Sequence, residues 1–571
     1  MFEIEKIKNV LNGKQSVSSL FLITLCVFFI IIFDNASFWS SLLSVIELSS
    51  WNMYLFLIAC FSFIFVVCFI LFSVLGVSVF LKPVIAFTLL LASVSAFYMD
   101  NYGIIFDKNM IRNIAETDFH EMIELFSADI IWHVLLSGVL PIVLMYRISV
   151  KQKPFIKEAG LRLLAMFVVV TISTLLIYTS YKDFTFVFRE NREVSFFANP
   201  VYPIRSAYQF SRDTIRASNK VFSHVFQDAH KINSAEFSEG LSKTKNILVM
   251  VVGETARDQS FHIDGYSRET TPELEKRNVI HFMNTWSCGT ATAVSLPCMF
   301  SNLKHENFDN GDARNQQNLM DALDIAGINV MWRENNSGCK GVCDRIETQE
   351  YKDIYIEDFC DNEGCYDEAL LNHLGQYLSY LKDDSVIVLH TQGSHGPAYY
   401  RRYPEKFSHF QPECRRVSVQ NCTDEEVKNS YDNTILYTDY FLSKVIDFLS
   451  SNPDTKNSAM IYVSDHGESL GENGVYLHGL PYMVADDYQK HIPMIMWVSD
   501  GFAGNKYLDT SCLILKENAR YSHDNFIHSI LGIMDIDSVL YDKKLDLFAS
   551  CRYKPIPSNT YIRASHNNSE F

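Results

Sequence analysis

The chain has 571 residues, of which 48% are hydrophobic and 20% charged, and this length suggests more than one domain. Its acidic residues outnumber its basic ones by enough to give a net charge of −17, which argues against a nucleic-acid-binding protein that works by neutralising phosphates. The low counts of glycine and proline, 24 and 15, exclude a fibrous or low-complexity chain.

The strongly apolar sequence is concentrated in the first third of the chain. Five runs there approach the ~20 residues that an α-helix needs to cross a bilayer. They are Val17–Phe33, Met53–Gly76, Val77–Tyr98, Ile130–Tyr146 and Leu161–Tyr181. As buried helices of a soluble protein they would leave too little polar surface. We therefore predict a five-span α-helical transmembrane domain over residues 1–181, with a tight turn near Leu75–Lys82.

The basic residues predict how these spans are oriented. Lys6, Lys8 and Lys14 precede the first span, and Lys82 lies at the second turn. More basic residues surround the fourth connection, whereas the first and third connections are acidic. Because basic loops remain in the cytoplasm, we expect the amino terminus inside and the chain after Tyr181 outside. We expect no cleaved signal peptide, since further spans come after the first.

Two polar segments border the later membrane spans. In residues 101–129, the helical spacing of Met110, Ile114 and Phe119 predicts a short amphipathic helix at the membrane surface. Residues 182–245 are polar with interspersed aromatic side chains, and we predict that they form one or two bridging helices between the membrane domain and the rest of the chain.

Ten of the 13 cysteines lie outside the apolar runs. An even number of cysteines in close pairs is typical of disulfides in an oxidising compartment. The expected pairs are Cys288–Cys298, Cys339–Cys343, Cys360–Cys365, Cys414–Cys422 and Cys512–Cys551. A zinc site is the alternative, but the separations are irregular.

After residue 245, apolar runs alternate with segments of helical spacing. The runs NILVMVVGET, GINVMWRENN, DSVIVLHTQGSH and SAMIYVSDHGES are typical of parallel strands covered on both faces. Helical spacing is found between them, in residues 318–326, 367–381 and 425–449. We predict an α/β domain with a mainly parallel central sheet over residues 246–571.

Each of these four strands ends in polar residues. Such ends meet at one edge of a parallel sheet, where ligands bind. Glu254, Asp465 and His466 offer oxygen and nitrogen ligands that suit Zn²⁺.

A nucleophile is expected in SCGTATAVSLPCMF, which is rich in small residues. A hydroxyl at the start of a helix would lie near free backbone N–H groups that stabilise an anion. The spacing alone does not choose between Thr290, Thr292 and Ser295.

Several long motifs then point to a family. VVGETARDQSFHIDGYSRETTPEL, CGTATAVSLPCMFS, NNSGCKGVCDR, HTQGSHGPAYYRRYP, SYDNTILYTD, SDHGESLGENGVYLHGLPY and SHDNFIHSILGIMD resemble the membrane-bound phosphoethanolamine transferases. This family includes the lipid A-modifying enzymes of polymyxin (colistin) resistance. The resemblance covers nearly the whole chain and implies an outer domain of the alkaline phosphatase and sulfatase type, located in the periplasm of a bacterial inner-membrane protein.

The resemblance also implies roles for individual residues. Glu254, Asp465 and His466 match zinc ligands, and Thr292 matches a threonine that binds zinc and carries the phosphoethanolamine. Positions that line the substrate pocket match Thr290, Asn336, Ser337 and Lys340, and Glu116 matches an outer loop that contributes to lipid binding. His395 and His478 match candidate acid/base groups that can hold a second zinc ion.

The reaction implied is a two-step transfer of phosphoethanolamine. Thr292 attacks the phosphorus of phosphatidylethanolamine, and a phosphate of lipid A or lipopolysaccharide then takes the group from the threonine, in a monomeric enzyme surrounded by membrane lipids. Kdo, heptose or another periplasmic glycan is an alternative acceptor. Hydrolysis or phosphoglycerol transfer is an alternative reaction. A membrane sensor that has lost catalysis is an alternative class of protein, but the intact set Glu254, Thr292, Asp465 and His466 argues against it.

Overall fold

The computed structural model describes residues 16–46, 51–117, 119–151, 153–232, 245–351, 356, 358–361 and 364–553. The chain divides into two compact units. The first contains the described residues of Met1–Ala115, Phe119–Arg212 and Gly471–Tyr476, and the second those of Glu116–Asp118, Asp213–Leu470 and Leu477–Phe571. Lys6, Lys8 and Lys14, on which part of the predicted orientation depends, lie outside the described residues.

The first 218 residues form helices almost throughout the part that the structure describes. These are α1 (Ser19–Phe33), α2 (Ala36–Ser44), α3 (Trp51–Leu75), α4 (Leu81–Tyr102), α5 (Lys108–Glu116), α6 (Phe119–Glu124), α7 (Ala128–His133), α8 (Leu140–Arg147), α9 (Phe155–Thr179), α10 (Tyr181–Glu190) and α11 (Val201–Ser218). A π-helix, Val134–Val139, joins α7 to α8, and the short strands Ser16–Val17 and Ser149–Val150 pair in parallel.

Four helical stretches in the described residues are long and apolar enough to cross a membrane. They are Trp51–Leu75, Leu81–Tyr102, Ala128–Arg147 and Phe155–Thr179. The first predicted span differs, because α1 has only 15 residues and falls short of the ~20 needed. It becomes a fifth span if α1 and α2, which are bent by 55° relative to each other, count as one. The predicted turn between the second and third spans corresponds to residues 76–80.

The polar segments are more broken than expected. Two short helices, α5 and α6, occupy the place of the single amphipathic helix predicted between the third and fourth spans. Met110 is buried there, but Ile114 is 52% exposed, so the predicted apolar face is not buried as a whole. In the bridging segment, a 3₁₀-helix at Arg192–Phe197 lies between α10 and α11.

The second unit is built around a seven-stranded sheet. Its strands are β1 (Ile247–Gly253), β2 (Ile280–His281), β3 (Asn329–Glu334), β4 (Glu347–Glu350), β5 (Ser385–His390), β6 (Ser458–Ser464) and β7 (Met494–Val498). They lie in the order β2-β7-β6-β1-β5-β3-β4. Every residue of β1, β5 and β6 is buried, as expected of strands covered on both faces.

The predicted mainly parallel sheet is confirmed. Strands β6, β1, β5, β3 and β4 pair in parallel, whereas β7 pairs antiparallel with β6 and with β2. Strands β2, β4 and β7 were not predicted. Further strands of two residues are His230–Lys231, Thr285–Trp286, Cys360–Asp361, Gly364–Cys365, Ser469–Leu470, Tyr476–Leu477, His491–Ile492, Tyr521–Ser522 and Ile536–Asp537.

Eight α-helices lie after residue 245 in the part of the chain that the structure describes. They are α12 (Thr292–Met299), α13 (Asn310–Arg314), α14 (Leu319–Ile325), α15 (Leu374–Tyr380), α16 (Asp424–Ser451), α17 (Asp500–Lys506), α18 (Thr510–Ile514) and α19 (His523–Ile533). The three segments predicted from helical spacing correspond to α14, α15 and α16. The longest, α16, begins with a capping box in which Thr423 and Glu426 satisfy each other's backbone N–H groups. Its buried face includes Val427, Ile435 and Leu442.

All five expected disulfides are present in the second unit. Three cysteines are unpaired, Cys26 in α1 and Cys60 and Cys68 in α3. The Cys512–Cys551 bond joins residues 39 positions apart, much the widest of the five loops. Because a disulfide stabilises mainly by restricting the unfolded chain, this bond is expected to contribute most to stability.

We expect the double substitution Cys512→Ser with Cys551→Ser to lower the free energy of unfolding by about 3–4 kcal/mol. Urea titration of the full-length protein in detergent measures this loss. The matched control removes Cys360 and Cys365, which are only five positions apart and should contribute less. An equal loss in both double variants would contradict the dependence on loop length.

Candidate active site

The active-site candidates come together at the carboxyl edge of the sheet. In the parallel register, Gly253 of β1 lies opposite Ser464 of β6, and Val252 lies opposite His390 of β5. The residues directly after these strands therefore meet at one place, as the sequence predicts. Glu254 comes after β1, and Asp465 and His466 come after β6.

Glu254, Asp465 and His466 form a buried cluster suited to a metal ion. One ligand atom from each lies within 4.8 Å of the others. His466 Nε2 is 3.4 Å from both Glu254 Oε1 and Asp465 Oδ2. Asp465 Oδ1 accepts the backbone N–H groups of Thr255 and His466, but Oδ2 is buried and accepts no hydrogen bond from any described residue.

The imidazole of His466 presents the correct nitrogen to this cluster. Its Nδ1 lies 2.9 Å from the carbonyl oxygen of Gly467, which can only accept a hydrogen bond. Nδ1 therefore carries the proton, and the lone pair of Nε2 is directed at the two carboxylates. This is the way a metal-binding histidine is commonly held.

The charges of this cluster depend on its burial. Burial by itself would raise the pKa of Glu254, but the nearby imidazoles of His466 and His395 lower it overall. Burial and the adjacent charge of Glu254 raise the pKa of Asp465 to about 6. Two buried carboxylates this close repel each other, and a cation between them would relieve the repulsion.

Thr292 is the hydroxyl that the structure brings to this cluster. It is the first residue of α12, and its Oγ1 lies 3.1 Å from both carboxylate oxygens of Glu254 and 3.3 Å from His466 Nε2. The two alternatives point elsewhere. Thr290 Oγ1 donates to the carbonyl of Leu480 at 2.6 Å, and Ser295 Oγ donates to the carbonyl of Asp465.

The segment around Thr292 is held closed by the Cys288–Cys298 disulfide. This bond connects the turn before α12 to the last turn of the helix. All eight residues of α12 are buried, so the helix and its nucleophile candidate have little freedom to shift.

Asn336, Ser337 and Lys340 come after strand β3 and lie at the same edge. Asn336 Nδ2 donates to Glu254 Oε2 at 2.7 Å and to the carbonyl of Thr391 at 3.1 Å. Lys340 Nζ donates to the carbonyl and hydroxyl oxygens of Ser337, both at 2.9 Å, and lies 3.3 Å from the carbonyl of Glu116. The Glu116 carboxylate accepts from Arg314 at 2.7 Å. The predicted lipid-binding residue Glu116 is thus adjacent to Lys340.

His395 and His478 also lie beside the cluster. The ring of His478 is 4.4 Å from that of His466 and 5.5 Å from that of His395, measured between centroids. Nδ1 of His478 is 3.3 Å from Glu468 Oε2. Burial and the neighbouring imidazoles of His466 and His395 lower the pKa of His478, so it remains a neutral ring at physiological pH.

A buried ion pair, for which the sequence predicted no role, lies behind Asn336. His390 Nδ1 lies 2.9 Å from Glu334 Oε2, and His390 Nε2 lies 3.3 Å from Asn336 Nδ2. The side chains of His390 and Glu334 are at most 1% exposed. The contacts therefore run from Glu334 through His390 and Asn336 to Glu254. The signal that could have found them was a charged residue and a histidine inside apolar strand runs, where neither is expected without a partner.

Two family models match this chain. A family model described as sulfatase matches residues 246–536, and one described as phosphoethanolamine transferase EptA/EptB matches residues 64–215. The chain is 37% identical over 548 residues to phosphoethanolamine transferase EptA of Escherichia coli (strain K12), a match that covers 94% of this chain and 98% of that protein. The chain belongs to the phosphoethanolamine transferase family.

Other members of this family are similar over most of their length. Phosphatidylethanolamine transferase Mcr-1 of Escherichia coli is 33% identical over 485 residues, covering 83% of this chain and 86% of that protein. Among solved structures, the integral membrane protein lipooligosaccharide phosphoethanolamine transferase A (EptA) from Neisseria meningitidis has a TM-score of 0.90 at 34% identity, covering 95% of this chain and all of that one. The family resemblance and the two-part fold predicted from the sequence are both confirmed.

This phosphoethanolamine transferase is therefore a multi-pass inner-membrane protein with a periplasmic catalytic domain. That location agrees with the five disulfides, since such bonds persist in the oxidising periplasm.

Proposed function

We propose that this chain transfers phosphoethanolamine from phosphatidylethanolamine to a phosphate group of lipid A, and thereby confers resistance to polymyxin. The observation that carries the proposal is the position of Thr292 Oγ1, 3.1 Å from both carboxylate oxygens of Glu254 and 3.3 Å from His466 Nε2. We assign residues 1–181 to the membrane anchor, 182–245 to the bridge and 246–571 to catalysis.

Zn²⁺ is the cofactor that the four side chains suit best. Glu254, Asp465, His466 and Thr292 offer three oxygen ligands and one imidazole nitrogen. The buried Asp465 Oδ2, which accepts no hydrogen bond from the described residues, supports an ion at this place. When bound, zinc supplies a Lewis acid that makes the threonine hydroxyl more acidic and offsets negative charge on the transferred group. His395 and His478 are candidates for a second ion.

In the first step, Thr292 Oγ forms a bond to the phosphorus of the donor lipid, and the bond from phosphorus to the diacylglycerol oxygen breaks. The threonine hydroxyl gives up its proton, and Glu254 is in position to receive it, because its carboxylate accepts the Thr292 hydroxyl hydrogen bond. The departing diacylglycerol oxygen takes up a proton, for which His395 is a candidate donor, whereas the neutral ring of His478 is a candidate base. The product is phosphoethanolamine esterified to Thr292.

In the second step, a phosphate oxygen of the acceptor attacks the same phosphorus, and Thr292 Oγ leaves and regains a proton. Lys340 can hold a phosphate oxygen as a point charge, and we assign it and Ser337, whose carbonyl and hydroxyl it contacts, to binding the transferred group. We assign Thr290 and Asn336 to the same pocket; the Thr290 hydroxyl donates to the carbonyl of Leu480, and the Asn336 amide donates to Glu254. Adding an ethanolamine cation to lipid A reduces its negative charge, which weakens binding of cationic peptides.

The test is mass spectrometry of lipid A and of core sugars from cells with and without this protein. We expect lipid A to gain about 123 Da, the mass of one phosphoethanolamine unit. The same mass added to Kdo, heptose or another glycan, with lipid A unchanged, would identify a different acceptor for the same transfer reaction. A gain in neither fraction would contradict the proposed transfer.

A further inference from the structure

We propose that His523 is a positioning residue that fixes Thr292 relative to the metal-binding side chains. The inference rests on the proposed function, since it concerns the same site. His523 is the first residue of α19 and is 2% exposed. It belongs to the motif SHDNFIHSILGIMD, which takes no part in either step of the proposed transfer.

His523 contacts the two segments that must be held in register. Its Nδ1 lies 3.1 Å from the backbone nitrogen of Cys288, at the start of the nucleophile segment. Its Nε2 lies 3.1 Å from the carbonyl oxygen of Ser464, directly before Asp465 and His466. The imidazole is thus a bridge between the turn that carries Thr292 and the strand end that carries two metal ligands.

Only one form of the imidazole makes both contacts. The Ser464 carbonyl can only accept, so Nε2 carries the proton and donates it. Nδ1 is then an acceptor and takes the backbone N–H of Cys288. Burial lowers the pKa of His523 to about 3, so the ring is neutral and has one tautomer.

A second connection lies beside this bridge. Ser295 Oγ, on the first turn of α12, donates to the carbonyl of Asp465 and packs 3.4 Å from His523 Nδ1. The nucleophile helix is therefore tied to the metal-binding turn at two places, through His523 and through Ser295. Because His523 forms these contacts with the main chain and with Ser295, its effect on catalysis is indirect.

The two ring nitrogens can be tested separately. In His523→Asn, the shorter amide can reproduce the acceptor at Nδ1 but does not reach Ser464. In His523→Gln, the longer amide can reproduce the donor at Nε2 but loses the acceptor for Cys288. If the bridge matters, each variant breaks it at one end.

We expect both variants, as full-length protein in phosphatidylethanolamine nanodiscs, to lower kcat about 10- to 100-fold, because a misplacement of about 1 Å costs roughly 100-fold. KM for the donor lipid should change by less than about twofold, since a residue behind the site does not bind the substrate. Zinc affinity, measured by competition with a chelator, should fall as well, because Asp465 and His466 come directly after Ser464.

His528 provides the matched control on the same helix. It is 4% exposed, burial lowers its pKa to about 4, and its Nδ1 accepts the backbone N–H of Asp542, outside the active site. His528→Asn should lower the melting temperature as much as His523→Asn does, while kcat and zinc affinity stay unchanged.

Several outcomes would overturn the inference. The inference fails if kcat is unchanged in both His523 variants, if His528→Asn loses as much kcat, or if only KM rises. It also fails if neither His523 variant folds, because His523 would then serve only the fold. If the wild-type protein showed no transfer at all, the proposed function would fail, and unchanged zinc affinity in the His523 variants would still separately refute the bridge.

Discussion

Thr292→Ala should abolish lipid A modification, with a loss of at least about 10⁴-fold in the rate of transfer, because the covalent carrier of phosphoethanolamine is removed. The protein should still fold, because the Thr292 side chain is small and lies at the start of a helix, where alanine is a favourable residue. Mass spectrometry of lipid A detects the product, and mass spectrometry of the protein detects the modified threonine.

Thr292→Ser is the matched control, because it keeps a hydroxyl on the same backbone. It should retain part of the activity and still carry the added mass on residue 292. Full modification of lipid A by Thr292→Ala would instead move the nucleophile to Thr290 or Ser295. The structure argues against both, since their hydroxyls donate to the carbonyls of Leu480 and Asp465.

The second large effect is expected for Glu254→Gln. The amide keeps the size of the side chain but removes the negative charge that a zinc ion requires. Loss of a group that merely holds a ligand in place costs roughly 10- to 100-fold in metal affinity, and loss of a ligand's charge should cost more. Transfer should stop at the zinc concentrations that saturate the wild type. Zinc content by mass spectrometry and chelator competition give the affinity.

Glu273→Gln makes the same chemical change at a carboxylate outside the cluster. Its carboxylate pairs with Lys276 and Arg277, so the substitution should leave zinc content and transfer unchanged. Full zinc occupancy and full activity in Glu254→Gln would remove Glu254 from the metal site and with it the proposed route of the threonine proton.

Much of the outer domain could be predicted from the sequence because its central strands are unambiguous. The runs that form β1, β3, β5 and β6 are apolar stretches with polar ends. Strand β7, MIMWV, has the same apolar character, but nothing in its composition states that it runs antiparallel to β6. Strand β2 has two residues, too few to leave a periodic signal.

The buried cluster of Glu254, Asp465 and His466 could be predicted because strand ends converge in a parallel sheet, whereas the hydroxyl that lies beside it could not. Thr290, Thr292 and Ser295 have the same type of hydroxyl within six positions, and only the fold decides which hydroxyl is bound to a backbone carbonyl. The resemblance named Thr292, and in the structure its hydroxyl lies beside Glu254 and His466. The bridging role inferred for His523 had no local signal, because its partners Cys288 and Ser464 are distant in sequence.

The pairing of β1 with β6 sets the order of events after export. Thr255 and Asp465, which share a hydrogen bond beside the cluster, are 210 residues apart. Most of the outer part must therefore have been translocated before the two strands can meet. Until then the carboxylates and the imidazole are far apart on an unfolded chain and bind zinc weakly. Under the proposed zinc dependence, acquisition of the ion is accordingly a late step, and a chain arrested during translocation would remain inert toward the lipids around it.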